Sequence, residues 1–83
     1  MHQIARTTTQ IGAVIRRERR RRGLTQSELG SRIGLRQATV SKLEKGEPAT
    51  QLRTLLDALT ALDLQVIIAE RRKPSAKEVE ELF

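Results

Sequence analysis

The stretch from Leu24 to Gly46, LTQSELGSRIGLRQATVSKLEKG, constrains the fold of this chain more than any other. Thr25-Gln26-Ser27-Glu28 has the form of a capping box, in which a hydroxyl caps the helix start and a carboxylate three residues on reaches back. Leu29 and Ile33 then form an i, i+4 apolar edge, and Gly34 allows the left-handed turn that ends the helix. A second helix is expected from Arg36 or Gln37 to Lys45, with Gly46 as its stop. The prediction is two short helices joined by a glycine turn.

Helix, short glycine turn, helix is the layout of DNA-binding helix-turn-helix motifs. At about 100° per residue, Val40 and Leu43 fall together and define the inner face of the second helix. The outward face then carries Gln37, Ala38, Ser41, Lys42 and Lys45. Glutamine can bond adenine bidentately, serine and lysine reach base edges or phosphates, and an alanine methyl fits against thymine. A solvated helix without a partner also has a polar outer face. Against that reading, the outward face has no acidic residue and the flanking sequence is strongly basic.

Length and charge limit the alternatives. The 83 residues make one small domain, whose modest buried surface leaves it marginal alone, and dimerisation is a common remedy. A net charge of +6 and a pI near 11.1 favour a polyanionic partner. There is no cysteine, no run of about 20 apolar residues and no signal-peptide core, so a cytoplasmic protein without membrane association is expected. The single histidine, His2, has no ligand partners nearby. No phosphate loop, metal-ligand spacing or nucleophile–histidine pairing occurs, and neither enzyme activity nor a cofactor is expected.

Before the motif, Met1 to Arg6 reads as loose. Thr7-Thr8-Thr9-Gln10 repeats the capping-box pattern and starts a first helix near Thr8. Ile11, Val14 and Ile15 have helical spacing, continued by Glu18 and Arg22, while Arg16, Arg17 and Arg20 point outward. Six arginines occupy the seven positions 16–22, and Gly23 ends the helix. That run reads as phosphate contact through residues such as Arg16 and Arg20, as a solvated helix end whose cations suit the helix dipole, or as a nuclear localisation signal. Gln26 opens the second helix, where free N–H groups can hold a phosphate. Arg36 opens the third and can reach phosphate or a base edge; Thr39 flanks the inner face and suits phosphate contact or packing.

After the motif, Glu47-Pro48-Ala49 is a loop and Thr50 is expected to cap a fourth helix from Gln51 to about Leu62. Leu52, Leu55, Leu56, Leu59 and Leu62 make an apolar stripe wide enough to cover the motif and leave leucine over for a partner. Leu64-Gln65-Val66-Ile67-Ile68-Ala69 is rich in β-branched residues and reads as a strand over 64–70, with a fifth helix as the alternative. An unpaired apolar strand is a liability. Pairing Leu64, Val66, Ile67 and Ile68 with a second copy about a two-fold axis removes it, so a homodimer is expected. The domain thus spans 7–72. The tail, 73–83, opposes the body in sign through Glu78, Glu80 and Glu81, and is expected to be flexible. Its Val79…Leu82-Phe83 cluster reads as frayed helix, vector-derived residues or a peptide that folds on a partner.

The motif resembles the helix-turn-helix of the XRE and lambda-repressor superfamily in Leu24-Thr25-Gln26, Glu28-Leu29, Ile33-Gly34 and the Ser41…Glu44…Gly46 ending. Arg36-Gln37-Ala38-Thr39-Val40-Ser41 more narrowly resembles the recognition segment of HipB-type antitoxins. Gly30 departs from the usual alanine, at about 1 kcal/mol of helix propensity, and is expected to allow close helix packing. The resemblance implies a mainly α fold, a compact four-helix lambda-repressor-like domain plus one C-terminal β-strand pairing across a homodimer. It assigns Gln26 to the DNA backbone, braced against Gln37. It also implies an ion pair between Arg19, about 80° from Ile11 by helical phase, and Glu44, about 40° from Val40. For HipB-type antitoxins it further implies binding of a HipA-like serine/threonine kinase toxin, with Leu82 and Phe83 as candidate contacts, and a bacterial, nucleoid-associated location.

The function expected is a dimeric, sequence-specific repressor of a palindromic double-stranded operator. Gln37, Ala38, Ser41 and Lys42 would read bases; Gln26, Arg36, Thr39, Lys45, Arg16 and Arg20 would hold phosphates. A stand-alone XRE-family or phage-type regulator without a toxin is the alternative. Non-specific RNA binding is disfavoured, because unpaired bases are usually stacked on aromatics and Phe83 is the only one.

Overall fold

In a computed structural model, which describes residues 3–71, four helices follow one another: α1 (Thr8–Arg21), α2 (Gln26–Ile33), α3 (Gln37–Glu44) and α4 (Leu52–Ala61). His2 and the tail from position 72 on, with Leu82 and Phe83, lie outside the described residues. The fold is mainly α. α3 packs on both α1 and α2, and α2 packs on α4. Ile15, Leu29, Val40, Leu43, Ala58, Leu59 and Leu62 form the buried core, edged by Ile11, Leu24, Ile33, Leu55 and Leu64. Burying an aliphatic side chain of this size is worth about 1.5–3 kcal/mol, so these few contacts hold the helices together.

Local chemistry sets the helix ends. At α2, Thr25 Oγ1 accepts from the Glu28 N–H at 3.0 Å, and the Thr25 N–H donates to Glu28 Oε1 at 3.1 Å, so the capping box is complete. These bonds to backbone and hydroxyl hold the Glu28 carboxyl below its ordinary value. At α1 the box is shifted. Thr7 Oγ1 accepts from the Gln10 N–H, but the Gln10 side chain accepts from the Arg6 N–H, one residue earlier than the pattern predicts. α4 corrects the sequence expectation further: Gln51, not Thr50, occupies its cap position, without a side-chain capping bond, and the helix begins at Leu52.

α1, α3 and α4 end in one way. The residue after the cap adopts positive φ and the next N–H closes a wide loop: Leu24 N–H to Arg19 O, Glu47 N–H to Lys42 O, Leu64 N–H to Leu59 O. Asp63 fills that position on α4 at φ 57°, a conformation aspartate tolerates better than most residues. Gly34 makes the turn between α2 and α3 at φ 69°.

Two glycines mark close approaches. A Cβ on Gly12 would lie 2.5 Å from the Glu44 carbonyl oxygen, so α1 and α3 cross there backbone to backbone. A Cβ on Gly30 would lie 2.5 Å from the Leu35 carbonyl oxygen. Gly30 therefore makes room first for the turn's own backbone. A Cβ there would also lie 3.4 Å from Val40 Cγ2 on α3, so it serves the close packing of α2 on α3 as well.

Beyond α4, residues 64–71 lie in no helix, and no strand ladder forms among the described residues. Leu64 packs on the core, whereas Val66, Ile67 and Ile68 are exposed, Ile68 at 94%. Leu52 and Leu56 of α4 are exposed as well. The apolar stripe of α4 is thus wider than the core it covers.

Candidate nucleic-acid interface

Val40 and Leu43 anchor α3 to the core, which turns the other sides of this short helix outward. Gln37, Ala38 and Lys42 are exposed, Ser41 and Thr39 half-buried, and Lys45 is exposed at the C-terminal cap. Arg36 occupies the N-cap, exposed and with no capping bond from its side chain. Glu44, the helix's only carboxylate, points inward and is 7% exposed. The outward surface of α3 is therefore neutral to cationic along its length, which suits a polyanion.

The N-terminus of α2 meets the start of α3 through side chains. Gln37 Nε2 donates to Gln26 Oε1 at 2.6 Å, and Gln26 Nε2 donates to Glu44 Oε1 at 3.1 Å. Behind them, Arg19 grips Glu44 with a fork: Nε to Oε2 at 2.6 Å and Nη2 to Oε1 at 3.0 Å. The third guanidinium nitrogen, Nη1, donates to the Leu24 carbonyl at 2.7 Å. Every nitrogen of this buried guanidinium thus has a partner, as burial demands. The hydrogen bonds to Glu44 raise the Arg19 pKa further, against the opposing effect of burial. One chain of contacts runs from α1 through α3 and α2 to Gln37 on the exposed face.

Arg16, Arg17 and Arg20 lie on a second, adjoining surface. With Thr9, Ala13 and Lys45 they line an open groove between α1 and the end of α3, and Glu44 forms part of its wall. Arg16 and Arg20 are therefore gathered with Lys45 rather than with Gln37. Leu64 is separated from Val66, Ile67 and Ile68 by burial, and the suggested toxin contacts Leu82 and Phe83 fall outside the described residues.

Two features escaped the sequence reading. The Gln26–Glu44 bond joins two predicted pairs into one network, and only the packing of α2 against α3 brings those side chains together. Glu18 is buried to 1% exposure and accepts from Arg22 Nη1 at 2.7 Å, Arg21 Nε at 3.0 Å and Gln3 Nε2 at 2.9 Å. The bond from Arg22, opposed by burial, is the main reason its pKa lies below the ordinary value. Its place in the apolar stripe after Ile11 and Ile15 was the available signal. Among the described residues no cluster of histidine, cysteine and acidic side chains could hold a metal ion, and no helix is long and apolar enough to cross a membrane.

A helix-turn-helix family model matches residues 15–68. Antitoxin HipB of Escherichia coli (strain K12) is 33% identical over 73 residues, which cover 88% of this chain and 83% of that protein. An uncharacterized HTH-type transcriptional regulator of Sinorhizobium fredii is 33% identical over 69 residues, 83% of this chain but 35% of that longer protein. Among solved structures, a HipB-O4 20mer complex superposes with a TM-score of 0.79 at 32% identity, covering 86% of this chain and 100% of that one. A HipA-HipB-O2-O3 complex gives the same TM-score, identity and coverage.

Proposed function

The chain belongs to the helix-turn-helix family, a family of DNA-binding regulators rather than enzymes, with HipB antitoxins among its relatives, and from that premise we propose that it is a dimeric, sequence-specific repressor and antitoxin. The observation that carries this reading is the exposed face of α3, free of carboxylate and headed by a glutamine already held in place by Gln26. Gln37, Ala38, Ser41 and Lys42 read base edges in the major groove. Gln26, Arg36, Thr39 and Lys45 hold phosphates, and the groove of Arg16 and Arg20 extends the cationic field or touches flanking phosphates.

A second copy would cover the apolar surface one chain leaves open. Leu52, Leu56, Val66, Ile67 and Ile68 are all more than 40% exposed, and the extended segment over 64–70 offers backbone groups for pairing. A two-fold dimer sets two α3 helices about one helical turn of DNA apart, roughly 10 bp or a multiple, and calls for a palindromic operator. Occlusion of its own promoter is the simplest repression, carried out in the cytoplasm at the nucleoid.

The antitoxin activity is binding and neutralising a HipA-like serine/threonine kinase. Its support is the name of the Escherichia coli relative and the matched structure titled with both HipA and HipB. A kinase-like reading frame beside the gene separates this reading from a stand-alone regulator.

The test is fluorescence anisotropy against the duplex upstream of the chain's own gene and a scrambled duplex of equal length, at physiological salt. A preference of about 10³ or more is expected for specific recognition. Equal binding that vanishes steeply with salt would leave only the cationic field and overturn the proposal.

A further inference from the structure

The bonds from Glu44 to Gln26 and from Gln26 to Gln37 carry direction as well as position. A carboxylate gripped by a guanidinium fork has only acceptors to offer. Gln26 must therefore turn its NH₂ toward Glu44 Oε1, as it does at 3.1 Å. The other end of that amide is a carbonyl oxygen, which also only accepts. Gln37 must in turn present its own NH₂, and its Nε2 donates to Gln26 Oε1 at 2.6 Å. The oxygen and nitrogen of a glutamine amide are alike in size, so shape alone leaves either orientation open. Here the charge of Glu44 removes that freedom from both amides.

We propose that Glu44 is a positioning residue for base choice, committing Gln37 to adenine over guanine by fixing the polarity of its amide through Gln26. The proposal rests on the reading of Gln37 as a base-contacting side chain. With one N–H given to Gln26, Gln37 keeps its Oε1 and the N–H on the same side as that oxygen. This is one acceptor and one donor, side by side. Adenine presents N7 as acceptor and N6–H₂ as donor in the major groove, a full match. Guanine presents two acceptors, N7 and O6, and its O6 would face the Gln37 oxygen with no hydrogen between them. A reversed amide would give one lone pair of its oxygen to Gln26 and exchange donor and acceptor along the base-facing edge. Adenine would then meet a donor at N6 and an acceptor at N7 and lose both bonds, while guanine O6 would gain an N–H. The Arg19–Glu44 pair, remote from the bases, thus selects which edge Gln37 recognises.

Two variants break the relay in different ways. Glu44→Gln replaces an acceptor-only group by an amide that serves either polarity, so Gln26 and Gln37 are free to reverse together. Gln26→Met removes both relay bonds at similar side-chain volume and leaves the Arg19–Glu44 pair in place, so it stands if Glu44→Gln fails to fold.

The experiment changes each adenine of the upstream duplex to guanine in turn, with its complement, and measures affinity by anisotropy for the wild type, both variants and Gln37→Ala. The adenine read by Gln37 is the one whose preference Gln37→Ala abolishes. At that position the wild type is expected to favour adenine by about tenfold or more, the scale of one bidentate contact. In both variants the ratio is expected to drop to about threefold or less, by loss of that match. Discrimination at the other positions should persist. A purely structural role would lower the competent fraction and weaken binding to every duplex alike, leaving the ratio untouched.

An unchanged adenine-to-guanine ratio in Gln26→Met overturns the proposal while leaving base reading by Gln37 intact. So does a wild type that recognises its operator but shows no adenine preference dependent on Gln37. A wild type that binds upstream and scrambled duplexes equally overturns the underlying reading of the interface instead.

Discussion

Glu18 and Glu44 are both buried carboxylates, at 1% and 7% exposure, and both are bonded to arginine, yet they are held in opposite ways. Glu18 draws its partners from its own neighbourhood: Arg21 and Arg22 one turn along α1, and Gln3 just ahead of the helix. Those arginine side chains stay 63% and 28% exposed, so each keeps a route to water. Glu44 is gripped by Arg19, 25 residues away on another helix, through a side chain only 8% exposed. Local pairing shields a carboxylate that happens to fall on the inner stripe of a helix. Distant pairing is a joint: it locks α1 to α3, holds the Leu24 carbonyl and orients Gln26 at the exposed face. The same two residue types build a solvated clamp in one place and a structural hinge-pin in the other.

The largest effect that can break this comparison comes from splitting the distant pair. Arg19→Met alone or Glu44→Leu alone leaves one buried charge without its partner, and each is expected to lower unfolding free energy by about 3–5 kcal/mol. Total stability for a domain of this kind is about 5–15 kcal/mol, so either change approaches the limit of folding. The double variant removes both charges and is expected to be more stable than either single variant. Urea melts of the four proteins provide the cycle. If both single changes cost under about 1 kcal/mol, the pair behaves like a surface bridge and the contrast with Glu18 disappears.

Gly12→Ala tests the joint from its backbone side. The added Cβ would meet the Glu44 and Leu43 carbonyl oxygens at 2.5 and 2.7 Å, atoms that cannot swing aside. Forcing α1 away from α3 is expected to cost about 1–3 kcal/mol, the range for overpacking, and to stretch the Arg19–Glu44 fork. Thermal melts should show a loss that is less than additive with Glu44→Leu, because both act on one contact. Full additivity would mean that helix spacing and the ion pair are independent.

This contrast also separates what the sequence made legible from what it did not. The α2 capping box, the Gly34 turn and the inward Val40 and Leu43 depend on neighbours within about four residues, so spacing reveals them. The start of α4 was misplaced by one cap position because neither Thr50 nor Gln51 makes a side-chain capping bond there; packing of Ala58, Leu59 and Leu62 holds that helix. Gly12 carries no local signal, since its reason lies on α3. Helical phase points Arg19 and Glu44 inward but cannot show that Gln26 reaches the same oxygen of Glu44 as Arg19 Nη2. Residues 64–70 are the remaining case. Their β-branched composition argues for a strand, but a strand is completed by a partner, and one chain supplies none among its described residues.

The local clamp is the place to look for smaller effects. Glu18→Gln keeps the side chain's shape and an acceptor for Arg22, and Arg21 returns to solvent, so a loss of about 1 kcal/mol is expected by urea titration at neutral pH. The loss should be well below that of splitting Arg19 from Glu44; an equal loss would make the two carboxylates equivalent. The variant has a second use in acid. The Glu18 pKa in the folded chain lies below the ordinary 4.5, chiefly because Arg22 bonds its carboxylate. A group depressed by folding stabilises the fold fully above its unfolded pKa, and that contribution is lost as pH falls through the folded pKa. Stability of the wild type should therefore hold from neutrality to about pH 4.5 and decline below it. Glu28, also depressed, contributes to the same decline through its bonds to Thr25. Glu18→Gln removes one titrating group and keeps the other, so its stability should fall less steeply below about pH 4.5 without becoming flat. A variant that tracks the wild type throughout acid would show that Glu18 keeps its ordinary pKa, and that the arginines around it are held by their own helix rather than by its charge.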